Sequence, residues 1–209
     1  MPDTITKSDR KAAAQLLADA FFDNPAHVYI YPDDKTRRRK LEWLMRVNLN
    51  AQFDVGASFG KRAADGSIAA MGFWHPPGAP TASLTKLAQY GFLTMPFLHG
   101  ISAFLRMLHV VDQIETRRLA ALKGAESWYL NNMVVAPAAR GKGLGSEVLR
   151  AELRMRVDGS GAPATLNTQK EKNVSFYKGL GFVTIDDRPV VDDNGEGFAN
   201  WIMLYTPPG

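Results

Sequence analysis

The stretch VVAPAARGKGLGSEVL, residues 134–149, places three glycines and two cations between a short apolar run and an amphipathic helical pattern. A strand that ends in bare backbone and positive charge, just before a helix N-terminus, is suited to hold an anion. Three phosphate-binding patterns compete for it. A P-loop needs lysine followed directly by serine or threonine, whereas Lys142 is followed by Gly143. A dinucleotide fingerprint needs its first glycine at the strand end. Here APAAR separates Val135 from Gly141, and the glycines run G-x-G-x-G. The third pattern, R-x-x-G-x-G at Arg140, Gly143 and Gly145, fits. Glycines let successive N–H groups converge on a pyrophosphate, the helix N-terminus adds partial positive charge, and Arg140 and Lys142 add attraction at longer range.

The rest of the chain predicts alternating strands and helices. A short strand is expected at DTIT, then a helix from Ser8 or Asp9 through Phe22 that Pro25 ends, and a second helix from about Asp34 to Gln52. Two strands flank the Asp65-Gly66 turn. Residues 83–124 read as two helices divided near Pro96, the second amphipathic with Phe104, Leu105, Leu108, Val111 and Ile114. The C-terminal half reads as strand SWYLNNMVV, helix Gly143–Val157, strand ATLNT, helix Glu171–Leu180, strand FVTI and strand ANWIMLY. This order predicts an α/β (α+β) sheet with helices on its faces, in a single domain spanning 1–209.

Composition narrows the chemistry. The 209 residues contain no cysteine, which excludes disulfides, thiolate metal sites and cysteine nucleophiles, and four scattered histidines show no metal-ligand spacing. A net charge of +4 favours anionic partners in a general way. The basic run KTRRRK at 35–40 opens a helix whose other face is apolar and carries no interleaved aromatics, so it reads as a solvated face and no nucleic-acid partner is expected. Charges interrupt the N-terminal segment, and Pro96, Gly100, Arg106 and His109 break the most apolar region. No membrane partner is therefore expected, and the chain is read as cytoplasmic.

The string WYLNNMVVAPAARGKGLGSEVL, followed by LNTQKEKNVSFYKGLGF, resembles the GNAT superfamily of N-acetyltransferases, and within it the subgroup that includes puromycin N-acetyltransferase. LADAFFDNPAHVYIYPD and the W-x-x-P at Trp74–Pro77 are similar too; the resemblance is strongest from 127 to 183 and weak over 80–125. It implies the GNAT fold, a mixed twisted sheet with helices on both faces and a splayed parallel strand pair that holds acetyl-CoA. It also implies a bulge in the strand before the loop. On this reading the backbone of Met133, Val134 and Val135 pairs with the pantetheine arm, and one N–H holds the thioester carbonyl. The loop Arg140, Gly141, Lys142, Gly143, Leu144, Gly145 and Ser146 takes the pyrophosphate. Asn173 and Tyr177, four apart on one helix face, address the same ligand, with Tyr177 as general acid to the departing thiolate.

The resemblance also exposes a gap. Puromycin-type relatives carry glutamate in the middle of L-E-T, where this chain has Asn167, and an amide cannot accept a proton usefully. Glu126, Glu171, His75 and His27 remain as candidate bases, beside ordered water. For the acceptor, Phe21, Phe22, Tyr29 and Tyr31 are expected to line a pocket, with Asp192, Asp193 and Glu196 drawing a cationic amine. The expected activity is acetyl transfer from acetyl-CoA to a primary amine of a small molecule, by direct attack in a ternary complex. A protein or peptide acceptor, or a non-catalytic acyl-CoA binding module, are the alternatives. The chain is expected to be a monomer or a homodimer.

Overall fold

A computed structural model describes residues 3–55, 57–79 and 84–208. Eight strands and eight α-helices occur among them. A six-stranded sheet runs in the order β1-β2-β3-β4-β8-β5, built from β1 (Ala57–Arg62), β2 (Ile68–His75), β3 (Trp128–Val135), β4 (Ala164–Thr168), β8 (Trp201–Tyr205) and β5 (Val183–Asp186). Of its neighbouring pairs only β3 and β4 are parallel. β6 (Val190–Val191) and β7 (Gly197–Phe198) form a separate small hairpin.

Strand alternation sends side chains to two cores. Met71 and Phe73 of β2 and Val134 of β3 join the side covered by α1 (Arg10–Ala20), α2 (Pro25–Ile30), α3 (Asp34–Val55), α5 (Met95–His99) and α6 (Ile101–Leu122). Trp74, Leu130 and Leu166 join the opposite side, covered by α7 (Leu144–Glu152) and α8 (Glu171–Lys178). The expected GNAT arrangement, a mixed sheet with helices on both faces, is present. The segment that the sequence left obscure, 80–125, contributes α4 (Leu84–Gln89), α5 and α6, and α6 packs on the α2 and α3 side of the sheet.

Several local expectations change. Asp3 makes one antiparallel bridge to Gly60 instead of a strand. The first helix stops at Ala20, short of Phe22, and Pro25 begins α2: Asn24 accepts from the Ala26 N–H at 3.0 Å and Pro25 sits where no N–H is needed. The break in the 83–124 region falls at Gly100, and Pro96 lies in the first turn of α5. The helix after the glycine loop is α-helical only to Glu152, and Leu153–Asp158 continue it as a π-helix.

Candidate functional site

The site starts from an irregularity in β3. Met71 pairs with Val134 and Phe73 with Asn131, so Asn132 and Met133 together face Gly72. This is a β-bulge, and Asn132 takes a left-handed φ of 53° to make it. Asn132 Nδ2 donates to Asn48 Oδ1 of α3 at 2.6 Å, which anchors the bulge to the helical layer. On its other edge β3 pairs with β4 only at Trp128 and Tyr129. Beyond Tyr129 the two parallel strands separate, and among the described residues the C-terminal part of β3 has no strand neighbour on that edge.

That gap opens into a cleft of about 690 Å³. Its walls include Met133, Val134, Val135 and Arg140 on one side, Lys170, Lys172, Asn173, Phe176 and Tyr177 on a second, and the α1–α2 connection from Asp19 to Asn24 on a third. The glycine loop lies beside it. Gly143 takes φ 74° as the N-cap of α7. Gly145 lets the helix approach β3 closely, since a Cβ there would come 3.0 Å from Val135 Cγ2. Arg140 Nε donates to the Val135 carbonyl at 3.0 Å and Lys142 Nζ to the Ala138 carbonyl at 3.1 Å, so both cations brace the loop as well as charge it. Gly141, Lys142, Gly143, Leu144, Gly145 and Ser146 thus build the turn and first helical residues flanking the cleft, while Arg140, Met133, Val134, Val135, Asn173 and Tyr177 line it. An open strand edge, a helix N-terminus and three basic side chains on one cleft fit a long, partly apolar ligand with a pyrophosphate, as acetyl-CoA is.

Tyr177 is buried, with its ring edge-on between Phe176 and Phe182 at 5.0 and 5.7 Å. Its hydroxyl makes no hydrogen bond among the described residues, and burial pushes its pKa up, so it remains a phenol at every working pH. Asn173 Nδ2 donates to Thr168 Oγ1 at 3.0 Å and ties α8 to the end of β4.

Across the sheet lies a second polar group of residues. Tyr129 donates to Asn167 Oδ1, and Arg118 of α6 stacks 5.0 Å over the Tyr129 ring while pairing with Glu115. Burial pushes the Tyr129 phenol up to about 12. His75 is 6.1 Å from the same ring, and its Nε2 lies 2.8 Å from Gln52 Oε1. An amide oxygen only accepts, so Nε2 carries the proton and the lone pair sits on Nδ1. Burial, then the nearby Arg118 charge, lower its pKa and keep the ring neutral. Of the other candidate bases, Glu126 stands by Gly78, Glu171 is exposed at the start of α8 between the cleft residues Lys170 and Lys172, and His27 stacks 5.4 Å from Phe21 with a buried, unpaired Nδ1.

The expected acceptor aromatics divide. Tyr31 is a core residue bonded to His99 Nδ1 and is not among the residues that line this cleft. Phe21 and Phe22 line the cleft against β3 and α8. Tyr29 alone meets the acidic hairpin, donating to Asp192 at 3.0 Å. Sequence reasoning missed Lys170, Lys172, Asp23 and Asn24. The KEK run at 170–172 and the Asn-Pro helix start were the available signals.

The polypeptide path is that of a known fold. Residues 105–184 match the family model described as an acetyltransferase (GNAT) domain. The structure resembles a histone acetyltransferase HPA2-related acetyltransferase from Corynebacterium glutamicum, with TM-score 0.65, 19% identity, and 100% and 98% of the two chains covered. It also resembles arylalkylamine N-acetyltransferase 2 from Aedes aegypti, with TM-score 0.67, 15% identity, and coverage of 100% and 99%. A third likeness is to a polyamine N-acetyltransferase from Drosophila melanogaster, at TM-score 0.63, 12% identity, and 99% of each chain. The chain has the GNAT fold. The acetyltransferase class expected from the sequence is the class of the matched domain and of these GNAT structures. Among the described residues no helix is long and apolar enough to cross a membrane.

Proposed function

We propose that this chain is a single-domain, acetyl-CoA-dependent N-acetyltransferase that acts on a primary amine of a small molecule. The observation that carries the reading is the cleft itself, where the unpaired edge of β3 at Met133–Val135 faces Tyr177 and Arg140. Acetyl-CoA supplies a thioester. The β3 N–H groups are positioned to hold the carbonyl oxygen as charge develops on it, and the Tyr177 phenol gives its proton to the departing sulfur. The names of the arylalkylamine and polyamine enzymes that share the fold support a small amine as acceptor. The motif order supports a place beside the puromycin-type subgroup.

Asn167 is not the base, because its oxygen is occupied by Tyr129. His75, neutral and with a free lone pair on Nδ1, takes the ammonium proton through water. His75→Gln should then remove the acid limb of the kcat/KM profile, and a profile unchanged in that variant sets the assignment aside.

The first experiment is a melting curve with acetyl-CoA, with NAD and ATP as controls. A ligand at about 100 times its dissociation constant stabilises the native state by roughly 2.7 kcal/mol, a shift of several degrees. A shift with acetyl-CoA alone supports the cleft as a CoA site, and thiol release over a panel of amines then tests transfer. A shift with NAD, or none, removes the reading. The substitution at Asn167 favours one other reading, a non-catalytic acyl-CoA binding module, which predicts equal affinity for CoA and acetyl-CoA and no thiol release with any amine.

A further inference from the structure

The outer face of α5 and α6 is apolar where a solvated helix would be polar. Ile101, Leu105 and Leu108 follow one another at helical spacing, opposite the buried stripe of Ala103, Met107, Val110 and Ile114. Phe97 is 90% exposed, Ile101 67% and Leu105 57%, and Leu98 and Val111 extend the same surface. Taken at their fractional exposure, these six side chains (with Leu108) present on the order of 700 Å² of apolar area, more than the few hundred Å² a monomer usually leaves bare. That is close to the roughly 800 Å² each partner contributes to a standard interface.

We infer that this face is the interface of a homodimer, formed when α6 packs antiparallel against α6 of a second copy. Three features favour a second copy over a lipid surface or an unrelated protein. The exposed apolar side chains run without a break from Phe97 of α5 to Val111 in the first half of α6, so one continuous patch near standard interface size can meet its own copy. The same patch on two copies is self-complementary about a twofold axis, which needs no second surface. The arginines of α6 all turn inward: Arg106 over Tyr29, Arg117 to the Arg188 and Pro189 carbonyls, and Arg118 to Glu115. The cations nearest the patch, Arg39 and Lys40 beside His99, belong to α3, so α6 itself offers an anionic lipid surface no free arginine. Asp112 follows Leu108 on the outer line, so the axis falls nearer Ile101 and Leu105, and Asp112 stays solvated at the edge.

The inner face of α6 gives the contact a consequence. His109 lies 3.0 Å from the Val191 carbonyl, and with Arg117 it pins the segment leading into the β6–β7 hairpin. A paired α6 would hold that rim of the molecule in place.

Sedimentation velocity of the full chain across the micromolar range, without substrate, tests the inference independently of the catalytic reading. The expected species is a dimer, and Leu105→Glu should raise its dissociation constant by about 100-fold or more, since a carboxylate would be buried against leucine. Far-UV circular dichroism checks that the variant is folded. Should it fail to fold, Phe97→Asp replaces it, because a side chain so exposed contributes little to the core. A monomer at every concentration overturns the inference. So does a dimer unaffected by either folded variant, or a monomer that floats with anionic or zwitterionic lipid vesicles.

Discussion

On the side of the sheet covered by α7 and α8, the candidate site is made mostly of backbone: a bulge, an open strand edge, a glycine turn and a helix N-terminus. On the side covered by α1, α2, α3 and α6 it is made of side chains in hydrogen-bonded pairs, Asn48 with Asn132, Gln52 with His75, Tyr129 with Asn167, and Glu115 with Arg118. Backbone recognition needs particular residues at particular spacings, because few residues other than glycine allow the conformation. Side-chain recognition can be met by many residues from many elements. The first side is therefore suited to a constant ligand and the second to a variable one.

The largest test of this contrast is Tyr177→Phe. The hydroxyl has no partner to lose and the ring keeps its contacts with Phe176 and Phe182, so Tm should hardly change. Turnover should fall by about 100-fold, with acetyl-CoA affinity nearly intact. Unchanged turnover removes Tyr177 from the mechanism, and a fall in Tm in step with turnover would make it a packing residue.

Next comes Arg37 of α3, which braces the α1–α2 connection from within the helical layer. It is buried without a carboxylate partner among the described residues. Its Nε donates to the Tyr31 carbonyl at 2.6 Å and Nη2 to that of Pro32 at 2.7 Å, while the guanidinium lies 5.0 Å from the Phe22 ring. Arg37→Met keeps the stem and leaves buried carbonyls unpaired, at about 2 kcal/mol, or a Tm lower by about 4–8 °C. Phe22 lines the cleft, so the acetyl-CoA dissociation constant should rise as well. A stable variant with weakened binding would show that Arg37 only aims the α1–α2 connection.

A pH test separates the sides differently. His27 of α2 and His99 of α5 are each pushed down to about 4, in both cases chiefly by burial. Both stay neutral in the fold while the unfolded chain takes up protons below about 6.5. Stability is then full above pH 6.5 and is lost as pH falls toward 4. Hydrogen exchange should show α2 and α5 opening first over that window, and His27→Gln with His99→Gln should flatten the dependence. Equal loss in α7 and α8, unaltered by the substitutions, would refute the asymmetry.

The same asymmetry explains what the sequence made legible. R-x-x-G-x-G, the strand before it and the spacing of Asn173 and Tyr177 located one wall of the cleft, because each of these demands specific residues. The α1–α2 wall was legible only in part: Phe21 and Phe22 were expected to line a pocket and do, but the polar contacts of Asp23 and Asn24 were not foreseen. Asn24-Pro25 looks the same whether it stops one helix or starts another, and only tertiary packing brings Asp23 to Lys170 over 147 residues of chain. Tyr31 was misplaced for a similar reason: an aromatic beside a predicted pocket and an aromatic in the core have the same local sequence. The apolar face of α6 was misassigned: Phe104, Leu105, Leu108, Val111 and Ile114 read as its inner stripe, whereas the fold buries Ala103, Met107, Val110 and Ile114 and leaves Leu105, Leu108 and Val111 exposed, because apolar residues on two faces blur the periodicity.

The smallest effect concerns that missed contact. Asp23 pairs with Lys170 at 2.6 Å, and the lysine is largely covered while the aspartate is 74% exposed. Neighbouring Asn24 Nδ2 donates to Gln169 Oε1 at 3.0 Å, so the α1–α2 connection is held to the β4–α8 turn at two adjacent points, one charged and one neutral. The exposed ion pair contributes little to stability. It does neutralise one of the cations in a cleft suited to a polyanion. Asp23→Asn should leave Tm within about 1 °C, because the neutral contact remains, and tighten acetyl-CoA binding by a factor of about 2–5 at low salt. The gain should vanish as salt rises, since a freed lysine acts on the ligand through a screened field. Weaker binding in this variant would mean that the aspartate holds the wall in place, and that even this charged pair serves the shape of the cleft more than its potential.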